Sequence, residues 1–291
     1  MIKGGTLAMR KHLIYLLIIP LSFFLVSHTI QFFYGIGMSF YDGQGNFVGF
    51  ENFLAVFKDA TFRDSIRFSL VYSLAVTVAM TFLGLFIGIF INSLGGAQGF
   101  VKAIFLIPWA ISLTVWALLV QIALSPRFGI VNHFLTTFGF VESPLLWLGD
   151  PSLARISVIA AVISKDVWFS ALLFLVARQN LPVELYEEGK VAGATPWQAL
   201  RYITLPLLRP AILYTGAILF IFSLQAFDFI YALTRGGPGF ATEVAALTIY
   251  RHGVRYGNYE YGIAAATIWS LLVSVFVITV FAPAQRRFVE R

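Results

Sequence analysis

The sequence predicts an all-α polytopic membrane protein with six transmembrane helices. Three observations carry that prediction. First, apolar residues fill 59 % of the 291 positions and charged residues only 12 %, where a soluble domain carries about 25 % charge; mean hydropathy is +0.83. Second, six segments reach the roughly 20 apolar residues that cross ~30 Å of hydrocarbon: 13–33, 68–91, 103–124, 156–177, 211–233 and 262–281. Third, none of them shows the ~10-residue alternation of barrel strands. Too little charge is present to cover a water-facing surface, so a soluble enzyme and a disordered chain are excluded. With no cysteine there is no disulfide, thiolate zinc site or cysteine nucleophile. The four histidines, His12, His28, His133 and His252, are dispersed, which argues against a metal centre and against a polytopic membrane enzyme. A net charge of +6 in so apolar a chain marks cytoplasmic membrane loops rather than nucleic-acid binding.

The first span follows Lys3, Arg10 and Lys11. Its apolar run is too long for a signal-peptide core and no small-x-small cleavage site follows, so a retained helix is expected. The second carries Gly84 and Gly88 at GxxxG spacing, which permits close helix packing but recurs by chance. The second, third and sixth spans hold no charge. The fourth contains Lys165 and Asp166, the fifth Asp228. A charge at a span's centre costs ~2.5–3.5 kcal/mol, so all three should face the bundle interior. Neighbouring helix positions point about 100° apart, so Lys165 and Asp166 are poorly placed to pair with each other. A structural ion pair with other groups and a substrate-pathway role both fit them. With both termini cytoplasmic, the cytoplasmic side holds eleven Lys and Arg and the longer opposite loops eight, as the positive-inside rule requires.

The loop 178–210 is built to be helical. Pro182 suits a first turn, and Glu184, Glu187 and Glu188 lie near the positive end of the helix dipole. Gly193 fits a helix stop, since it enters the left-handed region without a Cβ penalty. Thr195-Pro196-Trp197-Gln198 restarts a helix, with Thr195 as N-cap, Pro196 at N1 and Gln198 closing a capping box. Leu205-Pro206 and Arg209-Pro210 are expected to end that helix before the fifth span. Two short helices projecting from the membrane, or an amphipathic segment lying in the interface, fit these residues.

Glu187-Glu188-Gly189-Lys190-Val191-Ala192-Gly193, nine residues, then Ile203-Thr204-Leu205-Pro206 resembles the EAA loop of binding-protein-dependent ABC importer permeases. Glu188-Gly189 stand where Ala-Ala is usual, and Ala192 where aspartate is common. The block 224–239, ending Leu233-Thr234-Arg235-Gly236-Gly237-Pro238-Gly239, resembles the L-T-x-G-G-P pattern of sugar permeases, of the type found in the larger maltose permease and the first glycerol-3-phosphate permease. Gly49-Phe50-Glu51-Asn52-Phe53 and Ser125-Pro126 with Phe128-Gly129 and Asn132 look like external loops of that pattern.

The resemblance implies a type I ABC importer permease fold forming one transmembrane domain over 1–291, in the cytoplasmic membrane of a prokaryote. It implies import of a sugar, or of a glycerol-phosphate-like compound, by alternating access. The implied partners are a second permease subunit in a heterodimer, two ATPase subunits, an external sugar-binding protein and the lipid bilayer. Coupling to the ATPase would fall to Glu184, Glu187, Glu188, Gly193, Ala194 and Thr195. The chain itself has no G-x-x-x-x-G-K-[ST] motif, since Gly189-Lys190 runs into Val191. ATP and Mg would therefore be used by the partner, with no cofactor and no metal held here, and the chain is not an enzyme. A sugar offers apolar C–H faces and many hydroxyls, so its path needs aromatic surfaces beside a few hydrogen-bonding groups. Gln225 and Asp228, three apart on one helix face, are the first candidates, then Lys165, Asp166, Trp168 and Phe169. A permease for amino acids or peptides fits the loop but not the G-G-P block. A secondary transporter should carry repeated halves or broken spans in matching positions, and neither is visible.

Overall fold

The computed structural model describes residues 3–289, almost entirely helical, with no strand among the described residues. Tyr41 and Phe47 form one isolated antiparallel bridge. The side chains of Lys3, Arg10 and Lys11, and of the C-terminal arginines on which the orientation rule also draws, lie outside the described ones. Five helices are long and apolar enough to span a membrane, and a bent pair makes a sixth.

The chain falls into two compact units. One takes the residues up to Asp59 together with Ile249–Ser270; the other takes Ala60–Thr248 and Leu271–Arg291. The first unit contains α1 (Lys3–Met38) and α2 (Glu51–Lys58). Asp42 holds a tight turn between them. Its carboxylate accepts from the Asn46 side chain at 3.0 Å and backbone at 2.8 Å, and those bonds hold its pKa below the usual carboxylate value. Within the same unit the Tyr261 hydroxyl donates to Asp59, and the His252 ring stacks on Tyr261 with centroids 4.4 Å apart.

In the second unit α3 (Ala60–Ser93) packs along α7 (Pro151–Gln179). The helix Asp150 caps, with Pro151 in its first turn, is the fourth expected span. Gly84 and Gly88 set the contact. A Cβ on Gly88 would lie 2.7 Å from the Ala171 carbonyl and 2.9 Å from the Leu175 nitrogen, while one on Gly84 would strike the Ser170 side chain. The Ser170 hydroxyl donates to the Met80 carbonyl at 2.8 Å.

The third expected span, 103–124, is not one straight helix. α4 (Gln98–Ala110) and α5 (Leu113–Ala123) meet at 91° across Ile111 and Ser112. Pro108 lacks the N–H that would continue the last turn. Ser112 is extended at ψ 148°, and its hydroxyl caps α5 by accepting from the Val115 nitrogen. Beyond α5, α6 (Ile130–Thr137) closes a loop around Asn132, 2 % exposed, whose amide exchanges hydrogen bonds with the Leu145 backbone and accepts from the Trp147 indole.

The projecting loop forms α8 (Glu184–Val191) and α9 (Pro196–Ala199); α8 starts two residues beyond Pro182. The helix after Thr195 does not stop at the prolines. It passes through a π-helical turn (Leu200–Thr204) into α10 (Leu205–Leu224), giving one continuous span from Pro196 to Leu224. The extra residue of a π turn alters the hydrogen-bond register where Pro206 cannot donate. The fifth span breaks instead at Gln225–Phe227, and α11 (Asp228–Leu233) restarts after Phe227 at φ −138°, ψ −60°. The Gln121 amide clamps its last turn, donating to the carbonyls of Ala232 at 3.1 Å and Leu233 at 2.8 Å. The G-G-P loop is tied by Thr242, fully buried, whose hydroxyl meets Thr234 at 2.7 Å and the Gly237 carbonyl at 2.8 Å. α12 (Ala245–Tyr250) and α13 (Tyr259–Val289) complete the chain.

Candidate functional site

Both helix breaks open onto one cavity of about 340 Å³ in the second unit. Its polar lining is Asp166 from α7, Ser223 from α10, Gln225 at the break and Asp228 at the start of α11. Trp109 and Phe169 present rings at an interplanar angle of 9° with centroids 6.4 Å apart, and Tyr72, Phe222 and Phe227 add further aromatic surface. Because the span breaks, Gln225 and Asp228 do not share a helix face as the three-residue spacing implied. They flank the gap and reach the same cavity from two helices.

Lys165 and Asp166 do pair, against expectation. Lys165 Nζ lies 3.4 Å from Asp166 Oδ1 and donates to the Trp109 carbonyl at 3.3 Å. The 100° offset separates Cβ directions, and a long lysine stem bends back across it. The Trp109 carbonyl is available because α4 ends one residue later. Lys165 is 5 % exposed at the side chain and Asp166 31 %, so the cation is consumed while the carboxylate retains a face on the cavity. Trp168 does not line the cavity; its ring stacks on Phe105 at 3.8 Å. Tyr72, Trp109 and Ser223 went unnoticed in the sequence because only the breaks and helix crossings bring them together. A larger cavity, about 700 Å³, lies where α3 and α7 begin. Its ionic groups are engaged: Arg67 pairs with Asp64 at 3.1 Å, and Arg155 donates to the Ala241 carbonyl and lies over the Phe68 ring.

The second candidate surface is the projecting loop. α8 ends in a Schellman turn: Gly193, at φ +79°, donates to the Lys190 carbonyl, and Ala194 donates to that of Gly189. The capping box forms as expected. Gln198 N donates to Thr195 Oγ1 at 3.3 Å, and Thr195 N donates to Gln198 Oε1 at 2.8 Å. Tyr186 holds α8 against the span behind it, its hydroxyl 3.0 Å from Thr204 and its ring under the Arg178 guanidinium at 3.9 Å. The outer face presents exposed Glu184, Glu187, Glu188 and Thr195 beside Val191 at 90 % and Trp197 at 64 % exposure.

Residues 80–291 match the family described as "Binding-protein-dependent transport system inner membrane component". The chain belongs to this family. The permease protein SmoG of the sulfoquinovosyl glycerol transport system of Agrobacterium fabrum is 31 % identical, over 76 % of this chain and 71 % of its own. The permease protein UgpA of the sn-glycerol-3-phosphate transport system of the same organism is 28 % identical, over 97 % and 96 %. The trehalose/maltose permease protein MalF of Thermococcus litoralis is 36 % identical over 62 % of this chain. That protein and a probable ABC transporter permease of Pyrococcus horikoshii are matched over 60 % and 62 % of their own lengths. A bacterial ABC transporter involved in import of the acidic polysaccharide alginate superimposes with a TM-score of 0.86 at 26 % identity, over 98 % of this chain and 99 % of that one. The family places this inner-membrane component among multi-pass permeases, and the likeness to the alginate importer extends the type I permease fold over nearly the whole chain.

Proposed function

We propose that the chain is the transmembrane subunit of an ATP-driven importer that carries a saccharide across the cytoplasmic membrane. The observation that carries this reading is the cavity at the α10–α11 break: aromatic rings beside Asp166, Gln225 and Asp228, within a membrane-spanning helix bundle. Broken spans and intramembrane carboxylates are costly in lipid, and a substrate path is what makes them worth keeping. The relative named for trehalose/maltose transport agrees with it. On this reading α8 and its joint dock one ATPase subunit through Glu184, Glu187, Glu188, Gly193, Ala194 and Thr195, and ATP and Mg are bound there, not here. A second, distinct permease completes the pathway, an external binding protein delivers the cargo, and both termini face the cytoplasm.

The test is ATP-dependent uptake in proteoliposomes holding this chain with its partner permease, ATPase and binding protein. The labelled sugar is the one the binding protein selects from a panel. Asp228→Asn and Gln225→Ala should each slow uptake severalfold while the ATPase still co-purifies. Normal uptake by both variants would remove the cavity from the path.

A further inference from the structure

The cavity carries a charge asymmetry that bears on what passes. Among the described residues its lining has two carboxylates, Asp166 and Asp228, and no lysine or arginine. The neighbouring cation, Lys165, is buried behind the wall and held between Asp166 and the Trp109 carbonyl. That pair is locally neutral, which leaves Asp228, exposed at the mouth of the helix break, as the unbalanced charge. The remaining polar lining, Gln225 and Ser223, is uncharged. The parallel Trp109 and Phe169 rings suit C–H faces, and a carboxylate accepts from two sugar hydroxyls at once.

We infer that this cavity admits uncharged saccharides and rejects anionic ones, with Asp228 as the residue that sets the discrimination. The inference rests on the proposed transport role. It separates this chain from the structurally similar importer of acidic alginate, because a uronate would have to enter beside a carboxylate with no lysine or arginine in this chain's described lining to receive it. Inside a low-dielectric site a single like charge changes the local concentration of an ion by about tenfold or more.

The absence of cysteine from the chain gives a direct measurement. In the assembled transporter, Ser223→Cys is labelled with anionic, neutral and cationic methanethiosulfonates of similar size. Rates are read by mass on this chain and normalised to those of free mercaptoethanol; total thiol after unfolding controls for misfolded protein. The cationic reagent should outrun the anionic one by about tenfold beyond the free-thiol ratio. Asp228→Asn should collapse that bias, and Asp228→Glu should restore it. Equal anionic and cationic rates, or a bias indifferent to Asp228→Asn, would overturn the inference. So would uptake of a galacturonate dimer by the intact transporter as fast as trehalose or any other uncharged sugar. A full labelling bias with no saccharide uptake whatever would instead remove the proposed cargo and leave the negative cavity in place.

Discussion

Thr195 and Lys165 mark the two extremes of what single residues reveal. Thr195 acts within three positions of itself, so its capping box with Gln198 can be read directly from Thr-Pro-Trp-Gln. Thr195→Ala should cost about 0.5–2 kcal/mol of local helix stability, measurable as faster amide exchange over 196–199. Unchanged exchange there would refute the cap. Lys165 is different: its partners are an adjacent side chain and a carbonyl 56 positions away. Lys165→Met strands Asp166 beside the cavity. The cost should be on the order of 1–3 kcal/mol, below the 3–5 of a fully buried broken pair because the carboxylate is partly exposed. Thermal unfolding in detergent reads it, and Lys165→Met with Asp166→Leu should recover most of the loss. A double variant as unstable as the single one would mean that the pair is not what Lys165 serves.

At the level of elements, Gly84 and Gly88 look alike in sequence, and both lie close against α7. A Cβ on Gly88 would meet the Ala171 carbonyl and the Leu175 nitrogen; one on Gly84 would meet Ser170 Oγ and Cβ, closer still, with the Ala171 nitrogen at 3.0 Å, and neither set can turn aside. Gly84→Ala and Gly88→Ala should therefore each destabilise by roughly 1–3 kcal/mol, seen as drops in unfolding temperature; an unchanged unfolding temperature in either variant would defeat the packing argument. Gly193 is the hinge of the projecting helix pair. Proline is locked near φ −65° and cannot take Gly193's +79°, so Gly193→Pro should abolish uptake and ATPase co-purification while the protein still reaches the membrane. Gly193→Ala, facing only about 1–2 kcal/mol of left-handed strain, should keep partial activity. Wild-type uptake by the proline variant would sink the docking assignment. The breaks at Ile111–Ser112 and Gln225–Phe227 were not legible. Hydropathy sums over a window, and a span that bends at its middle is as apolar as one that does not. Pro108 and Ser112 carried a signal for the first break; nothing equally plain marks the second.

For the whole molecule, the missing phosphate-binding motif yields a direct expectation: the purified chain should hydrolyse no ATP, and turnover should appear only when the ATPase subunit is added. Hydrolysis by the chain alone would overturn the division of labour. Membrane class, number of apolar segments and the capped helix pair followed from the sequence alone. Each depends on composition or on chemistry within a few positions, which the chain carries wherever it goes. Which residues share a cavity was decided by the tertiary structure. Asp166, Trp109 and Asp228 stand on three helices, and they meet because two spans break where hydropathy gives no warning. The same is true of the charge of that cavity. The sequence offers Lys165 and two aspartates as equals; packing turns the lysine inward against the Trp109 carbonyl and leaves the carboxylates facing the space where cargo would pass.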